Sequence, residues 1–294
     1  MNRNNPFKGL GIALATPFHQ DGSIDFDRLE SLVEYQITNG TDFICVLGTT
    51  AETPCLSDKE KREVMDCVIR TNHGRIPLLL GAGGNCTANV IDYLQHTDLT
   101  GFQGVLIVAP FYNKPSQEGL FQHFKAVADH SPVPVVLYNV PGRTGVNIEA
   151  ATTLRIACEC PNVVAIKEAS GKISQIEDIV ENAPEGFDVL SGDDAITFEL
   201  LTIGAKGVIS VVGNAYPKEF GAMVHQTIEG DYTHALQLHR KFSQAYKLLS
   251  ADGNPAGIKS LLHVIGKAEN VLRLPLVPAR QSTYDSLVEF AKNF

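Results

Sequence analysis

Residues 163–170 read VVAIKEAS, and this short stretch carries the features that indicate the fold. An apolar run without alternation is typical of a strand that is covered on both faces, as in a parallel sheet flanked by helices. Lys167 and Glu168 end the run, and small residues follow them. The pattern predicts a buried strand with charged side chains at its carboxyl end.

Seven other stretches repeat this pattern along the chain. Each is a short run rich in Val, Ile and Leu, and a longer amphipathic segment that opens with a helix-capping residue follows it. The repeat of roughly 30 residues matches a βαβ unit. The seven stretches are GIALATP (11–17), FICVLGTT (43–50), PLLLGAG (77–83), GVLIVAP (104–110), PVVLYNV (134–140), DVLSGDD (188–194) and GVISVVGN (207–214).

Eight strand and helix units predict an α/β fold, a (β/α)8 TIM barrel. An open doubly wound sheet is disfavoured because the first turn, TPFHQDG (16–22), lacks a glycine-rich phosphate-binding fingerprint. Length alone leaves open one barrel with an appendage or two ordinary domains. Beyond Tyr216 only helical patterns remain, over 232–249, 255–265 and 283–293. We therefore expect residues 1–225 to form a catalytic barrel and residues 226–294 a C-terminal helical domain.

Composition restricts the partners of the chain. A formal net charge of -9, with scattered acidic residues, disfavours nucleic-acid binding. No apolar run approaches the length that crosses a bilayer. Six cysteines without CxxC spacing indicate free thiols in a reducing cytosol, so we expect a cytoplasmic protein that binds no membrane. Cys158 and Cys160 have no second ligand pair nearby, and we expect no metal site.

Lys167 is the residue that points most directly to chemistry. Functional groups of a TIM barrel stand at the carboxyl ends of the strands. Burying an ammonium without a partner is costly, and the neutral amine is the form that attacks a carbonyl carbon. The alternative is a structural ion pair with Glu168 or another carboxylate. Position alone leaves both interpretations open.

Other polar residues at strand ends have two interpretations each. Tyr138 ends the strand next to that of Lys167, and its phenol could relay protons or simply pack in the core. Thr49 and Thr50 follow a glycine and could form an anion-binding nest, or a turn with locally bonded hydroxyls. The acidic pair at 193 and 194 is predicted to cap a helix.

Six strings at these strand ends resemble one family. GTTAE, YNKPSQEGL, LYNVPGRTG, IKEASG, LSGDD and GVISV, in this order over essentially the whole chain, are similar to the signature set of the dihydrodipicolinate synthase and N-acetylneuraminate lyase superfamily of class I aldolases. The resemblance implies a lyase that forms a Schiff base between Lys167 and pyruvate. Within the superfamily it implies condensation with L-aspartate 4-semialdehyde, in diaminopimelate and lysine biosynthesis, without a metal or organic cofactor.

The resemblance also implies roles for individual residues. Tyr138, Thr50 and Tyr112 would form a proton relay, with Tyr112 supplied by a partner subunit. We therefore expect a homo-oligomer built from a tight dimer, usually a homotetramer in this family. Substrates would be bound by Thr49, Thr50, Arg143, Gly192 and Ile209, of which Arg143 would hold the semialdehyde carboxylate.

Two alternatives to this function remain open. One is another pyruvate-dependent class I aldolase or lyase of the superfamily that acts on a sugar acid or a 4-hydroxy-2-oxo acid. The other is a non-catalytic barrel that senses an oxo acid, since a fold does not determine a function.

Feedback regulation is a further expectation from the resemblance. Relatives that L-lysine inhibits bind it near the tight dimer contact. Here Asn89 stands in place of a glutamate, Lys61 in place of a histidine, and Phe111 in place of a tyrosine. We expect weak or absent inhibition by L-lysine.

Overall fold

The computed structural model describes residues 5–294. Eight strands follow one another in sequence order around a closed barrel, and neighbouring strands pair in parallel. The predicted (β/α)8 barrel is therefore confirmed. The strands are β1 Gly9–Ala13, β2 Phe43–Val46, β3 Leu78–Gly81, β4 Gly104–Val108, β5 Val135–Asn139, β6 Val163–Glu168, β7 Asp188–Ser191 and β8 Gly207–Ser210.

Helices follow the strands where the capping signals predict them. Ser57 and Glu60 form a reciprocal capping box, and Ser116 accepts a hydrogen bond from the N–H of Gly119. Asp193 accepts one from the N–H of Ala195, so its predicted capping role is confirmed. The helices are α1 Phe26–Thr38, α2 Asp58–Asn72, α3 Thr87–His96, α4 Gln117–His130, α5 Pro141–Thr144, α6 Ala150–Glu159, α7 Ile173–Asn182, α8 Thr197–Thr202, α9 Pro217–Glu229, α10 Tyr232–Lys241, α11 Ser243–Ala251, α12 Ala256–Val264 and α13 Gln281–Asn293.

The single helix predicted over 232–249 is wrong in one respect, because the structure divides it into α10 and α11. Phe242 lies between the two helices, and its ring is fully buried. It packs edge-on against Phe220, at 5.4 Å between ring centroids, and stacks with Tyr246 at 6.1 Å. Burial of this ring outweighs continuation of one straight helix.

By their contacts the described residues form two compact units. The first comprises residues 5–8 and Pro77–Ile209, and with them β3 to β7 and most of β8. The second comprises Gly9–Ile76 and Ser210–Phe294, including β1, β2 and helices α9 to α13. The expected functional division at residue 225 stays a prediction. Within residues 5–294, no helix is both long and apolar enough to span a bilayer.

Candidate active site

Lys167 and Tyr138 face each other at the carboxyl ends of β6 and β5. The two residues are register partners on adjacent strands, so their side chains leave the same face of the sheet. The Lys167 Nζ lies 4.3 Å from the centroid of the Tyr138 ring. Both are buried, with 6% of Lys167 and 7% of Tyr138 exposed. A lysine amine and a phenol therefore share one enclosed position, as the sequence predicts.

Glu168 does not pair with Lys167. It follows Lys167 directly in the strand, so its side chain points to the opposite face. Its carboxylate accepts hydrogen bonds from Asn139 Nδ2, 3.1 Å to each oxygen, from the N–H of Ser170 at 2.8 Å and from Gln175 Nε2 at 3.0 Å. Burial raises the pKa of Glu168, although these donors oppose the shift. The alternative of an ion pair between the two neighbours is wrong.

The Lys167 amine has no carboxylate partner in the part of the chain that the structure describes. Within the described part of the chain, residues 5–294, its Nζ makes no ion pair of 4.0 Å or less. An amine that is buried and not held by a counter-charge remains available to react.

Gly192 lies against the aliphatic stem of Lys167. A Cβ added at Gly192 would lie 3.0 Å from Lys167 Cε and 2.8 Å from the Cβ of Ala169. The Gly192 N–H donates to the Glu168 carbonyl at 2.8 Å, so that donor is already used within the barrel. A side chain at this position would therefore press against the Lys167 stem. Ile209 lies in β8 directly after Val208, which is the register partner of Ser191 in β7. The Ile209 side chain is buried.

A methyl group at Gly192 is expected to slow imine formation. In Gly192→Ala the new Cβ must displace the Lys167 stem, and misplacing a reactive group by about 1 Å costs on the order of 100-fold in rate. We expect the rate of borohydride-trapped adduct formation with pyruvate to fall about 10- to 100-fold, with an unchanged circular dichroism spectrum. Gly142→Ala is the matched control, because nothing lies within 4 Å of a Cβ built there. Equal trapping rates in the two variants would contradict the expectation that Gly192 leaves space for the Lys167 stem.

The loop after β2 holds Thr49 and Thr50 in a constrained backbone. Residues Thr49–Ala51 form one turn of 3-10 helix. Leu47 before it and Glu52 after it both have a φ of 56°, a left-handed conformation that side chains with a Cβ rarely adopt. Thr50 is 1% exposed, and its Oγ1 accepts a hydrogen bond from Asn254 Nδ2 at 3.0 Å. The hydroxyl of Thr50 is thus bonded to a distant residue rather than locally.

A buried ion pair lies directly beyond this loop. Glu52 Oε1 pairs with Lys259 Nζ, and both side chains are fully buried. Lys259 also donates to the Val271 carbonyl at 2.9 Å, and its Nζ lies 3.9 Å from the Phe18 ring centroid. The other oxygen of Glu52 accepts from the N–H of Arg273 at 2.9 Å. Burial lowers the pKa of Lys259 to about 8, against the opposing effect of Glu52.

Tyr112 and Arg143 are exposed residues in the loops after β4 and β5. Tyr112 is 89% exposed and has a φ of 72°, so a strained backbone holds a large aromatic ring in solvent. Arg143 lies in the short helix α5, directly after the strand of Tyr138.

Sequence reasoning did not find several residues that support these groups. Asn139 and Gln175 hold Glu168, and Asn254 and Lys259 hold the loop of Thr50. The first pair had a signal, because Asn139 is a polar residue at the end of β5 and Gln175 lies in the first turn of the helix that follows Glu168. The second pair had none, because a separation of 204 residues leaves no periodic trace.

Comparison with known proteins agrees with this arrangement. The model of the dihydrodipicolinate synthetase family matches residues 6–294. The chain belongs to this family. The 4-hydroxy-tetrahydrodipicolinate synthase of Phocaeicola vulgatus is 56% identical over 280 residues, which cover 95% of this chain and 94% of the relative. That of Parabacteroides distasonis is 55% identical, covering 96% and 95%.

Solved structures agree as well. The dihydrodipicolinate synthase of Thermotoga maritima superposes with a TM-score of 0.96 at 41% identity, covering 98% of this chain and 99% of the other. The resemblance drawn from the six strings is therefore confirmed, and the chain is an enzyme of a lyase family of the class I aldolase type. Among residues 5–294, no cluster of three or more His, Cys, Asp or Glu side chains could hold a metal ion.

Proposed function

We propose that the protein condenses pyruvate with L-aspartate 4-semialdehyde, using Lys167 as the Schiff-base nucleophile. The observation that carries this proposal is the Lys167 amine, which is buried at the end of β6, has no carboxylate partner among residues 5–294, and lies 4.3 Å from the Tyr138 ring centroid. Relatives more than half identical over nearly the whole chain are named for this activity.

The reaction begins when the Lys167 amine adds to the carbonyl carbon of pyruvate. Loss of water from the adduct gives an iminium ion, which acts as an electron sink for the adjacent methyl group. A methyl C–H bond then breaks, and its electrons form the enamine while the iminium π electrons move to nitrogen. The enamine carbon attacks the semialdehyde aldehyde. The substrate amine finally displaces Lys167 by transimination, which closes the ring and frees the enzyme.

Proton transfers in these steps are assigned to Tyr138, Thr50 and Tyr112. Tyr138 lies beside the amine, which supports its role as the group that exchanges protons with the adduct. Tyr112 is the relay member that a partner subunit supplies, and its 89% exposure in one chain supports this assignment. The smallest active form is then a dimer. We expect a homotetramer in the cytoplasm.

The pyruvate carboxylate is assigned to Thr49 and Thr50, and the pocket wall to Gly192 and Ile209. The 3-10 turn over Thr49–Ala51 supports the first assignment, because successive N–H groups in such a turn converge on an anion. Weak or absent inhibition by L-lysine stays a prediction. Lys61 pairs with Asp58 at 3.0 Å and would add positive charge near an incoming ammonium.

Reductive trapping tests the nucleophile and the donor together. The protein is treated with borohydride in the presence of pyruvate alone, and the intact mass and peptide map are recorded. We expect one reduced pyruvate adduct on Lys167. A chain that yields no adduct is better described as a sensor or an unrelated binder, and the proposed chemistry is then wrong.

Arg143 separates this activity from that of other aldolases in the superfamily. A charge-assisted hydrogen bond to a carboxylate contributes about 1.5–3 kcal/mol, so Arg143→Ala should lower turnover with the semialdehyde about 10- to 100-fold. The pyruvate adduct should still form. Arg240→Ala, on the exposed surface of α10, is the control. Unchanged turnover in Arg143→Ala would favour a sugar-acid or 4-hydroxy-2-oxo acid substrate.

A further inference from the structure

Asn254 connects the C-terminal helices to the loop of Thr50. It lies in the turn between α11 and α12, and its Nδ2 donates to Thr50 Oγ1 at 3.0 Å. An amide nitrogen can only donate, so the Thr50 oxygen is the acceptor in this contact. The hydroxyl proton of Thr50 must therefore point toward a different acceptor. This hydrogen bond thus excludes Asn254 as the acceptor of the Thr50 proton.

The turn that carries Asn254 is fixed on two sides. Gly257 packs so closely on α11 that an added Cβ would lie 2.5 Å from the Leu249 carbonyl oxygen. Lys259, two residues further along α12, forms the buried ion pair with Glu52. Glu52 is two residues after Thr50, so the start of α12 holds this loop at two points. These two contacts fix the position of the backbone that carries Asn254.

We propose that Asn254 is a positioning residue that sets the hydrogen-bond direction of Thr50 within the proton relay. This inference rests on the proposed function. Each hydroxyl of a relay accepts one proton and donates one, so all members must be aligned in the same direction. Because Asn254 occupies an acceptor site of Thr50, the Thr50 proton remains directed into the relay when the pyruvate methyl proton is removed.

Asn254→Asp reverses this contact with almost no change of shape. An ionised carboxylate accepts only, so the Thr50 proton would be drawn toward it and out of the relay. Asn254→Ala removes the donor without drawing the proton away. Relay catalysis contributes about 10²–10⁴-fold, so we expect at least a tenfold loss in Asn254→Asp and a smaller loss in Asn254→Ala.

The measurement is exchange of the pyruvate methyl protons for deuterium, followed by NMR, alongside borohydride trapping. Exchange requires proton removal, whereas trapping requires only the imine. We expect exchange and kcat to fall in Asn254→Asp, while the trapped yield and the KM for pyruvate change less than about twofold. Asn182→Asp, on the exposed end of α7, is the matched control. A KM that rises in parallel with the loss of kcat would indicate a collapsed loop and overturn the proposal.

A pH series distinguishes a change in the direction of the Thr50 hydrogen bond from a structural effect of the substitution. On protonation the introduced carboxyl gains an O–H that can donate to Thr50, so the exchange rate of Asn254→Asp relative to Asn254→Ala should rise as the pH falls. Both variants share the nearby charged groups, so the direct effects of these groups on the exchange rate are common to both, and they otherwise only move the pH at which the new carboxyl titrates: Glu52, Asp252, Lys259, Arg273 and Arg280. A ratio that stays flat with pH overturns the inference.

The two proposals fail in different ways. If the unmodified protein gives no pyruvate adduct and no methyl exchange, the proposed function is wrong and the inference falls with it. If the unmodified protein forms the adduct and exchanges the methyl protons, and Asn254→Asp does so at the same rates, the proposed function is retained and only the role of Asn254 is rejected.

Discussion

Lys167→Ala is expected to abolish both the pyruvate adduct and turnover. Alanine has no amine, so no imine forms and the enamine that attacks the semialdehyde cannot arise. Removing the nucleophile of a covalent mechanism costs on the order of 10⁴-fold or more in kcat. The fold should persist, because Lys167 makes no ion pair among residues 5–294 whose loss would leave a buried charge behind. Steady-state assay and intact-mass analysis after borohydride reduction measure the two effects.

Lys167→Arg distinguishes a reactive amine from a structural cation. Arginine places a positive charge over the Tyr138 ring and cannot lose its proton in a protein. We expect the arginine variant to be as inactive as the alanine variant. Lys172→Ala, at an exposed position five residues along the chain, is the control and should keep full activity. Turnover retained in Lys167→Arg would contradict the Schiff-base mechanism.

Lys259→Met is expected to give the largest loss of stability. It leaves the Glu52 carboxylate fully buried without its cation, and breaking one partner of a buried pair costs about 3–5 kcal/mol in the free energy of unfolding. Urea unfolding followed by circular dichroism measures this loss. Because Glu52 ends the loop of Thr50, we also expect turnover to fall.

Two further variants test the cause of the loss of stability in Lys259→Met. Lys292→Met removes a surface pair with Glu289 of 3.9 Å and should cost less than about 1 kcal/mol. The double variant Glu52→Gln/Lys259→Met removes both charges but keeps an acceptor for the N–H of Arg273. It should recover most of the stability. A double variant as unstable as Lys259→Met alone would contradict the explanation by an unpaired charge.

The barrel could be predicted because its strands are continuous apolar runs bounded by turn residues. Each such run became a strand, and β6 ends at Glu168 as the sequence indicates. The register between Lys167 and Tyr138 also follows, since consecutive strands of a barrel are neighbours. Local pattern therefore contains the information that places the amine beside the phenol.

The support around the site could not be predicted, because it depends on packing between distant segments. Gly192 resembles an ordinary turn glycine in sequence, and its close contact with the Lys167 stem emerges only in three dimensions. The break at Phe242 has no Gly or Pro to mark it, since it comes from burial of the ring. The hydrogen bond from Asn254 to Thr50 joins two elements whose individual patterns predict nothing about each other.

The hydrogen bond from Asn254 to Thr50 also has a consequence for the synthesis of this chain on the ribosome. A ribosome adds Asn254 204 residues after Thr50, which takes about 10–40 s at typical translation rates of ~5–20 residues per second. Nascent chains that already contain all eight strands therefore still lack the amide that orients this hydroxyl. A polypeptide terminated at the end of α11 would carry Lys167 and all eight strands yet remain without that amide, so catalytic competence is completed only after Asn254 has been added.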